Sequence, residues 1–392
     1  MSTLQVANIW FESTANNRLQ YSGSNSFVLV AGGANTLTVN SNAVAVISAA
    51  TFSNTVTITG DTTVAGNFSM ASSFKRNRII NGNMLLNQYN GTTSVTPTAS
   101  TYNMDRWTAQ MTQASKFSIQ QVALSTLPGF TYSQNFTVVT PYTVGAGDYF
   151  GTEQRIEGYN FADLAWGTAN AKSVTLSFWV YANNTGTYCG SLFTSTGSYV
   201  YNYTVSAANT WQYVTVTIPG STAYSLGSTT NSTAVIVRWT FTAGSNFQTT
   251  AGSWVSGNYA VTSGAFNWIG TSSATFYITG VQLEVGTKAT PYEMQIYSDQ
   301  LAQCQRYYQN TPYTIGGAQS FAGQILYFAL NLPVYMRSSP TLTINGSATT
   351  GGMNGQPSGS ANAQSLYFYT NLFSAILSNG TAFGNYILNA EL

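Results

Sequence analysis

The chain has 392 residues with 12 Lys plus Arg, 11 Asp plus Glu and no His, a net charge of +1. So little charge sets up no field to steer a polyanion and cannot neutralise the run of phosphates that nucleic-acid binding needs. The missing histidine removes Ser-His-Asp and Cys-His catalysis together with the commonest zinc ligand.

Charged residues are 6% of the chain, against about 25% in ordinary soluble domains. Ser, Thr, Asn, Gln and Gly take their place, which predicts a surface hydrated by hydroxyls and amides. No apolar run, "AVAVISAA" at Ala43 to Ala50 included, approaches the roughly 20 residues of a spanning helix, so no helical membrane insertion is expected. The alternation of a transmembrane barrel is the remaining membrane reading. The N-terminal "MSTLQVANIWFEST" has neither a basic nor an apolar leader region, and no signal peptide is expected.

Residues 1–74 hold short alternating pieces, "SFVLVAGG", "NTLTVNSNAVAV" and "NTVTITGDTTVAGNF". Alternation broken by turn residues predicts short strands, each with too little apolar surface to stand alone. Matching strands of neighbouring chains can supply the missing face. We therefore expect an oligomeric β-stalk or anchor here, with a small independent β-domain as the other reading. Lys75, Arg76 and Arg78 follow, three of the chain's 12 cations within four residues.

Residues 75–297 read as longer strands: "KFSIQQV" (Lys116 to Val122), "VTLSFWV" (Val174 to Val180), "YVTVTI" (Tyr213 to Ile218), "VIVRWTF" (Val235 to Phe241) and "ATFYITGVQLEV" (Ala274 to Val285). β-branched and aromatic residues dominate them, and Gly, Ser, Thr and Asn fill the connections. This pattern predicts a β-sandwich of jelly-roll type. Residues 298–392 begin in one short helix, "YSDQLAQCQRYY". Ser298 is its expected cap, Asp299 suits its positive end, and Leu301, Cys304 and Tyr308 make its expected apolar face. Cys304 then reads as a packed thiol; Cys189 and Cys304 allow at most one disulfide. The strands "GQILYFAL" and "QSLYFYT" flank a polar stretch, "INGSATTGGMNGQPSGSANAQ", that predicts a long loop of functional or mobile character. A C-terminal tip of β-sandwich kind is expected, and the whole chain is expected to be all-β.

The order "RNRIINGNMLLNQ", "DRW" (Asp105 to Trp107), "EQRIEG" (Glu153 to Gly158), "VTLSFWV", "NTWQYVTVTIPG" (Asn209 to Gly220), "FYITGVQLEVGTKATPYE" (Phe276 to Glu293) and "YSDQLAQCQRYYQ" resembles bacteriophage tail fibre proteins that carry a carbohydrate-binding-like jelly roll. "PVYMRSSPT" (Pro333 to Thr341) looks like a strand of their terminal domain. The resemblance implies a homotrimer on the virion, held to a tail or baseplate protein by its N-terminal region and directed at a host cell-surface polysaccharide. Assembly in the host cytoplasm and release by lysis would agree with the missing leader. A head fibre or decoration protein is the alternative, and a glycan depolymerase a further one. The basic cluster then falls at the junction of stalk and jelly roll, facing water or pairing with acids of a neighbouring subunit.

Aromatic residues are 14% of the chain, and sugar rings stack their C–H faces on such rings. Trp179, Trp211 and Trp239 lie in or beside strands and read as core. Trp254, Tyr259 and Trp268 lie in a loop-rich stretch and are ligand-binding candidates, as are Tyr335, Tyr367 and Tyr369 in the terminal region; a core role is the competing reading for each. Jelly rolls that bind carbohydrate resemble one another in often carrying a structural calcium ion, with Asp105, Glu157 and Glu284 as candidate ligands here. Ion pairs with Arg106 and Arg155 are the alternative for these acids. Hydrolysis would need two facing carboxylates; Asp148, Glu153, Glu157 and Asp163 lie close in sequence, which alone makes no cleft. No catalytic residue is assigned, and a non-enzyme is expected.

Overall fold

A computed structural model describes residues 76–318, 325–350, 357–371 and 379–392, together with the backbone of one hairpin near the N-terminus. The chain divides into two units, Met1–Ser69 and Met70–Leu392. In the first, β1 (Arg18–Tyr21) pairs antiparallel with β2 (Phe27–Val30). The rest of the expected stalk, and Lys75, lie outside the described residues.

The second unit opens on a strandless run from Arg76 and continues through twelve strands. They are β3 (Thr101–Met104), β4 (Trp107–Met111), β5 (Phe117–Ala123), β6 (Tyr132–Val138), β7 (Tyr149–Glu157) and β8 (Val174–Ala182). Then come β9 (Gly186–Phe193), β10 (Gly197–Val205), β11 (Gln212–Ile218), β12 (Thr233–Ala243), β13 (Trp254–Ser256) and β14 (Thr275–Val285). They form a seven-stranded sheet ordered β13-β10-β9-β12-β7-β4-β3 and a five-stranded sheet ordered β11-β8-β14-β6-β5. The result is an all-β, jelly-roll sandwich, and each of the five strands expected from alternation is present within two residues of its expected ends.

Side chains alternate across a strand, so one face of each sheet supplies the core. From β8 these are Val174, Leu176, Phe178, Val180 and Ala182; from β12, Val235, Val237, Trp239 and Phe241. Trp239 packs 5.4 Å from Trp107 and edge-on to Phe178 at 5.6 Å. The "RNRIINGNMLLNQ" run stitches the two sheets at one end. Asn77 Nδ2 donates to Val281 O at 3.0 Å and its Oδ1 accepts from Leu283 N at 3.0 Å, while Trp107 Nε1 donates to Asn81 O at 3.1 Å. Arg78 pairs with Asp163 at 2.7 Å and donates to Asn160 O at 2.9 Å. Part of the basic cluster is thus tied down within its own chain.

One helix, α1 (Tyr297–Gln305), follows. Asp299 lies in its first turn as expected, but Ile296 occupies the cap position and makes no side-chain capping bond. Its buried residues are Gln300 and Cys304; of the expected face, Cys304 is buried, Tyr308 is buried just beyond the helix, and Leu301 is only half-buried. Gln300 goes inward because its amide donates to Asn83 at 2.5 Å in the stitching run. Both cysteines are buried and free.

The terminal module contains β15 (Tyr308–Ala318), β16 (Ile325–Asn331), β17 (Thr341–Thr350), β18 (Ser358–Ala361), β19 (Ser365–Asn371) and β20 (Asn379–Asn389). They make two three-stranded sheets, β15-β20-β17 and β16-β19-β18. A separate core of Tyr313, Ile315, Leu366, Phe368, Tyr386 and Leu388 lies between them. Two expectations fail here. "PVYMRSSPT" is a connection, and the strand starts only at Thr341, since two prolines deny the ladder its donors. The polar stretch expected as one long loop contributes strand at both ends, in β17 and β18. Among the described residues no helix is long and apolar enough to cross a membrane.

Candidate functional site

The outward face of the five-stranded sheet carries a row of side chains that runs across all its strands. Tyr181 on β8 is in register with Tyr277 on β14, Tyr277 with Asn135 on β6, and Asn135 with Gln120 on β5. Trp211, the residue preceding β11, extends the row beyond Tyr181, ring centroids 5.5 Å apart. Tyr181 and Tyr277 meet edge to face at 5.2 Å. All five are half-exposed. With strands about 4.8 Å apart, the row is on the order of 19 Å long. A second, shorter row begins two residues back along β8, where Trp179 pairs with Tyr213, ring centroids 5.1 Å apart.

Two loops build up one end of the first row. The β5–β6 loop brings Leu124 and Thr126, and the β10–β11 loop brings Asn209 and Thr210; with Tyr181, Trp211 and Tyr277 they line a cleft of about 520 Å³. Asn209 adopts a left-handed backbone, φ 55°, and its N–H donates to Ala182 O at 2.7 Å. That turn places Trp211 over the sheet, and Trp211 Nε1 donates to Thr126 Oγ1 at 3.2 Å, joining the loops. Under the second row, Gly280 sits in a β-bulge of β14 with φ +62°, where a Cβ would lie 2.7 Å from Phe130 and 3.0 Å from Trp179. Chemically the face offers flat apolar rings, amides and hydroxyls, with no charged group in the cleft lining.

Trp179 and Trp211, expected in the core, belong to this face, whereas Trp239 is buried as expected. The six residues singled out for ligand binding do not converge. Trp268 is fully buried, 4.7 Å from Phe241 and 5.9 Å from Phe117, so it offers no ring to a ligand and is core. Trp254 is half-buried at the β13 edge, edge-on to Trp166 at 5.1 Å, with Nε1 donating to Pro219 O at 2.8 Å. Tyr259 is half-buried, its N–H donating to Ser198 Oγ at 2.9 Å. Tyr335 is exposed in the connection before β17. Tyr367 and Tyr369 do share an exposed face of β19, and Tyr327 of β16 joins Tyr369 at 6.3 Å.

The three acids considered for calcium are also apart, each with its own donors. Asp105 accepts from Gln88 N at 2.6 Å and Gln88 Nε2 at 2.5 Å, and burial pushes its carboxyl up despite those bonds. Glu157 accepts from Arg306 at 2.5 Å and from Tyr307 OH at 2.5 Å. Glu284 accepts from Thr290 N and Thr290 Oγ1, both at 2.7 Å. No group of three or more metal-ligating side chains occurs among the described residues. Arg106 pairs instead with Glu391 and stacks 3.6 Å over the Tyr307 ring.

No protein-family model and no curated protein matches this chain. Among solved structures, the enzymatically active domain of tailspike protein 4 from bacteriophage CBA120 aligns with 54% of this chain at 11% identity and a TM-score of 0.30. That alignment spans 22% of the tailspike chain, about a fifth of its length. A family 11 carbohydrate-binding module from Clostridium thermocellum aligns with 51% of this chain and 99% of its own, at 10% identity and a TM-score of 0.27. A xylan-binding domain from Paenibacillus barcinonensis aligns with 51% and 99%, at 12% identity and a TM-score of 0.24.

Proposed function

We propose that this protein is a non-catalytic glycan-binding fibre component, trimeric on a bacteriophage tail, which attaches the particle to a cell-surface polysaccharide. The row Trp211–Tyr181–Tyr277–Asn135–Gln120 carries the glycan part of this reading. Three rings followed by two amides suit a sugar chain laid across the strands, its C–H faces on the rings and its hydroxyls on the amides. The absence of charge from the cleft lining favours neutral sugar units in that row. The fibre part is supported by the order of motifs in the sequence. Single weak sites would gain strength because several copies act at once.

A non-catalytic role is supported by the acids. Glu153 and Glu157 stand four residues apart on β7, about 13 Å along a strand, beyond the ~5–9.5 Å at which two carboxylates flank a glycosidic bond. Each is also held in an ion pair.

The test is binding of the full chain to an array of bacterial surface polysaccharides. A polysaccharide ligand should emerge, and Trp211→Ala or Tyr277→Ala should weaken it about 10–30-fold, the loss of one stacked anchor. Silence across the array, with binding to capsid protein instead, would overturn this reading in favour of a structural virion part. Release of oligosaccharides, abolished by Glu153→Gln, would overturn the non-catalytic assignment.

A further inference from the structure

The opposite sheet carries a pocket of another kind. On the outward face of the seven-stranded sheet, Glu153 of β7 lies in register with Arg238 of β12. Glu153 Oε1 accepts from Gln110 Nε2 at 2.9 Å and Arg155 Nε at 3.0 Å, and its Oε2 accepts from Arg238 Nε at 3.2 Å. Arg238 Nη1 donates to Asn258 Oδ1 at 2.5 Å, and Arg155 Nη1 to Leu392 O at 3.2 Å. Two guanidinium groups thus face one carboxylate whose two oxygens are both engaged. The Nη2 groups of both arginines have no hydrogen-bond acceptor among the described residues. Both guanidiniums stand at the floor of a cavity of about 200 Å³, beside Glu153 and the Leu392 oxygen.

The walls are apolar and amide. Tyr149 and Phe247 meet edge to face at 5.7 Å, Met111 lies beside them, and Gln110 and Asn258 complete the lining. Arg238 is 8% exposed and stacks 4.6 Å over Phe193, which holds its guanidinium in place. The volume is below the ~300–1,000 Å³ of sites for drug-sized ligands and suits one sugar ring. Guanidinium forks match carboxylates in planar, charge-assisted pairs.

We propose that this pocket binds a single carboxylated sugar residue, such as a uronic acid at a chain end or branch, its carboxylate on Arg155 and Arg238 and its ring against the wall that Tyr149 and Phe247 form together. Its residues and its sheet differ from those of the aromatic row, so the proposal stands apart from the glycan reading of that row. If one polysaccharide offers both neutral stretches and acidic branches, the two faces can be engaged by neighbouring strands of it at once.

The experiment uses the full chain and three probes: methyl β-D-glucuronide, its methyl ester, and methyl β-D-glucoside. Binding is followed by saturation-transfer NMR and titration calorimetry. The acid should bind at least about tenfold more tightly than ester or glucoside, and added salt should weaken it. Phe247→Ala should cut that binding several-fold, and Trp211→Ala should leave it unchanged. Equal binding of acid and ester, or no binding of the acid, would overturn the proposal. So would displacement by an equal concentration of acetate, which would mean an anion contact without sugar recognition. Loss of acid binding in Trp211→Ala would move the site to the aromatic row and overturn it as well. Because the acid–ester comparison uses the unsubstituted chain, it stands even if a variant fails to fold.

Discussion

Single residues in this molecule are chosen for what they must satisfy. Gly280 is the clearest case, since its φ of +62° lies in the left-handed region and Phe130 and Trp179 crowd the space a Cβ would need. Gly280→Ala should cost about 1–3 kcal/mol, seen as a lower denaturation midpoint, and should shift Trp179. Glu153 is a second case. Glu153→Gln leaves two guanidiniums around a neutral amide, and breaking such a buried pair costs about 3–5 kcal/mol; chemical denaturation with an unchanged m-value would register it. Asp148 gives a pH signature. Burial pushes its carboxyl up, but bonds from Gly145 N–H, Thr112, Gln113 and Tyr142 outweigh burial and hold it below the usual carboxylate range. A carboxyl lowered on folding stabilises the protein fully above its unfolded value of about 4. That stabilisation fades as pH falls through the lower folded value. Melting temperatures measured downward from pH 5 should therefore drop less steeply in Asp148→Asn than in the unsubstituted chain.

At the scale of elements, sequence and structure agree where chemistry is regular. Alternating, β-branched runs such as "YVTVTI" became strands because period two has one structural solution against a core. The strands β9, "GTYCGSLF", and β10, "GSYVYNYTV", escaped notice because their inward positions hold Gly and Tyr while Cys189, Phe193 and Val200 stand among the outward ones, so the polar contrast between faces is weak. The aromatic row was hidden by residue type. In "VTLSFWVYA" Phe178 shares its face with Val174, Leu176, Val180 and Ala182, and Trp179 shares the other with Thr175, Ser177 and Tyr181, so alternation already turns Trp179 outward. Reading a strand tryptophan as core overrode that pattern. Trp268 misled in the other direction: a Gly- and Ser-rich neighbourhood suggested an exposed loop, yet the loop folds its indole into the sandwich. The acids Asp105, Glu157 and Glu284 read as calcium ligands or ion-pair partners, and the donors they meet lie 6 to 150 residues away in sequence, so no single spacing rule identifies them. In α1, Cys304 was legible as core. Burial pushes the Cys304 and Cys189 thiols up, so neither should react with a thiol reagent until the protein is denatured, and a fast-reacting native thiol would contradict the packing.

At the scale of the whole molecule, the sandwich and the terminal module belong to one compact unit and are joined by ionic and backbone contacts. Arg337 donates to Ala390 O at 2.5 Å, to Glu391 O at 2.9 Å and to Asn231 O at 2.8 Å, linking the last residues to the sandwich. The two modules should therefore unfold in one transition, and Arg337→Ala should separate it into two in a calorimetric scan. The proposed trimer is tested by sedimentation of the full chain, where a stable monomer would remove the fibre reading. The distribution of indoles has a further practical meaning. Trp107, Trp239 and Trp268 are sealed from solvent while Trp211 stands half-open on the cleft, so an aqueous quencher such as iodide will silence surface emission selectively. The molecule carries its own optical gauge of occupancy: a sugar chain lying over Trp211 should shield that emission, and a screen for ligands needs no label at all.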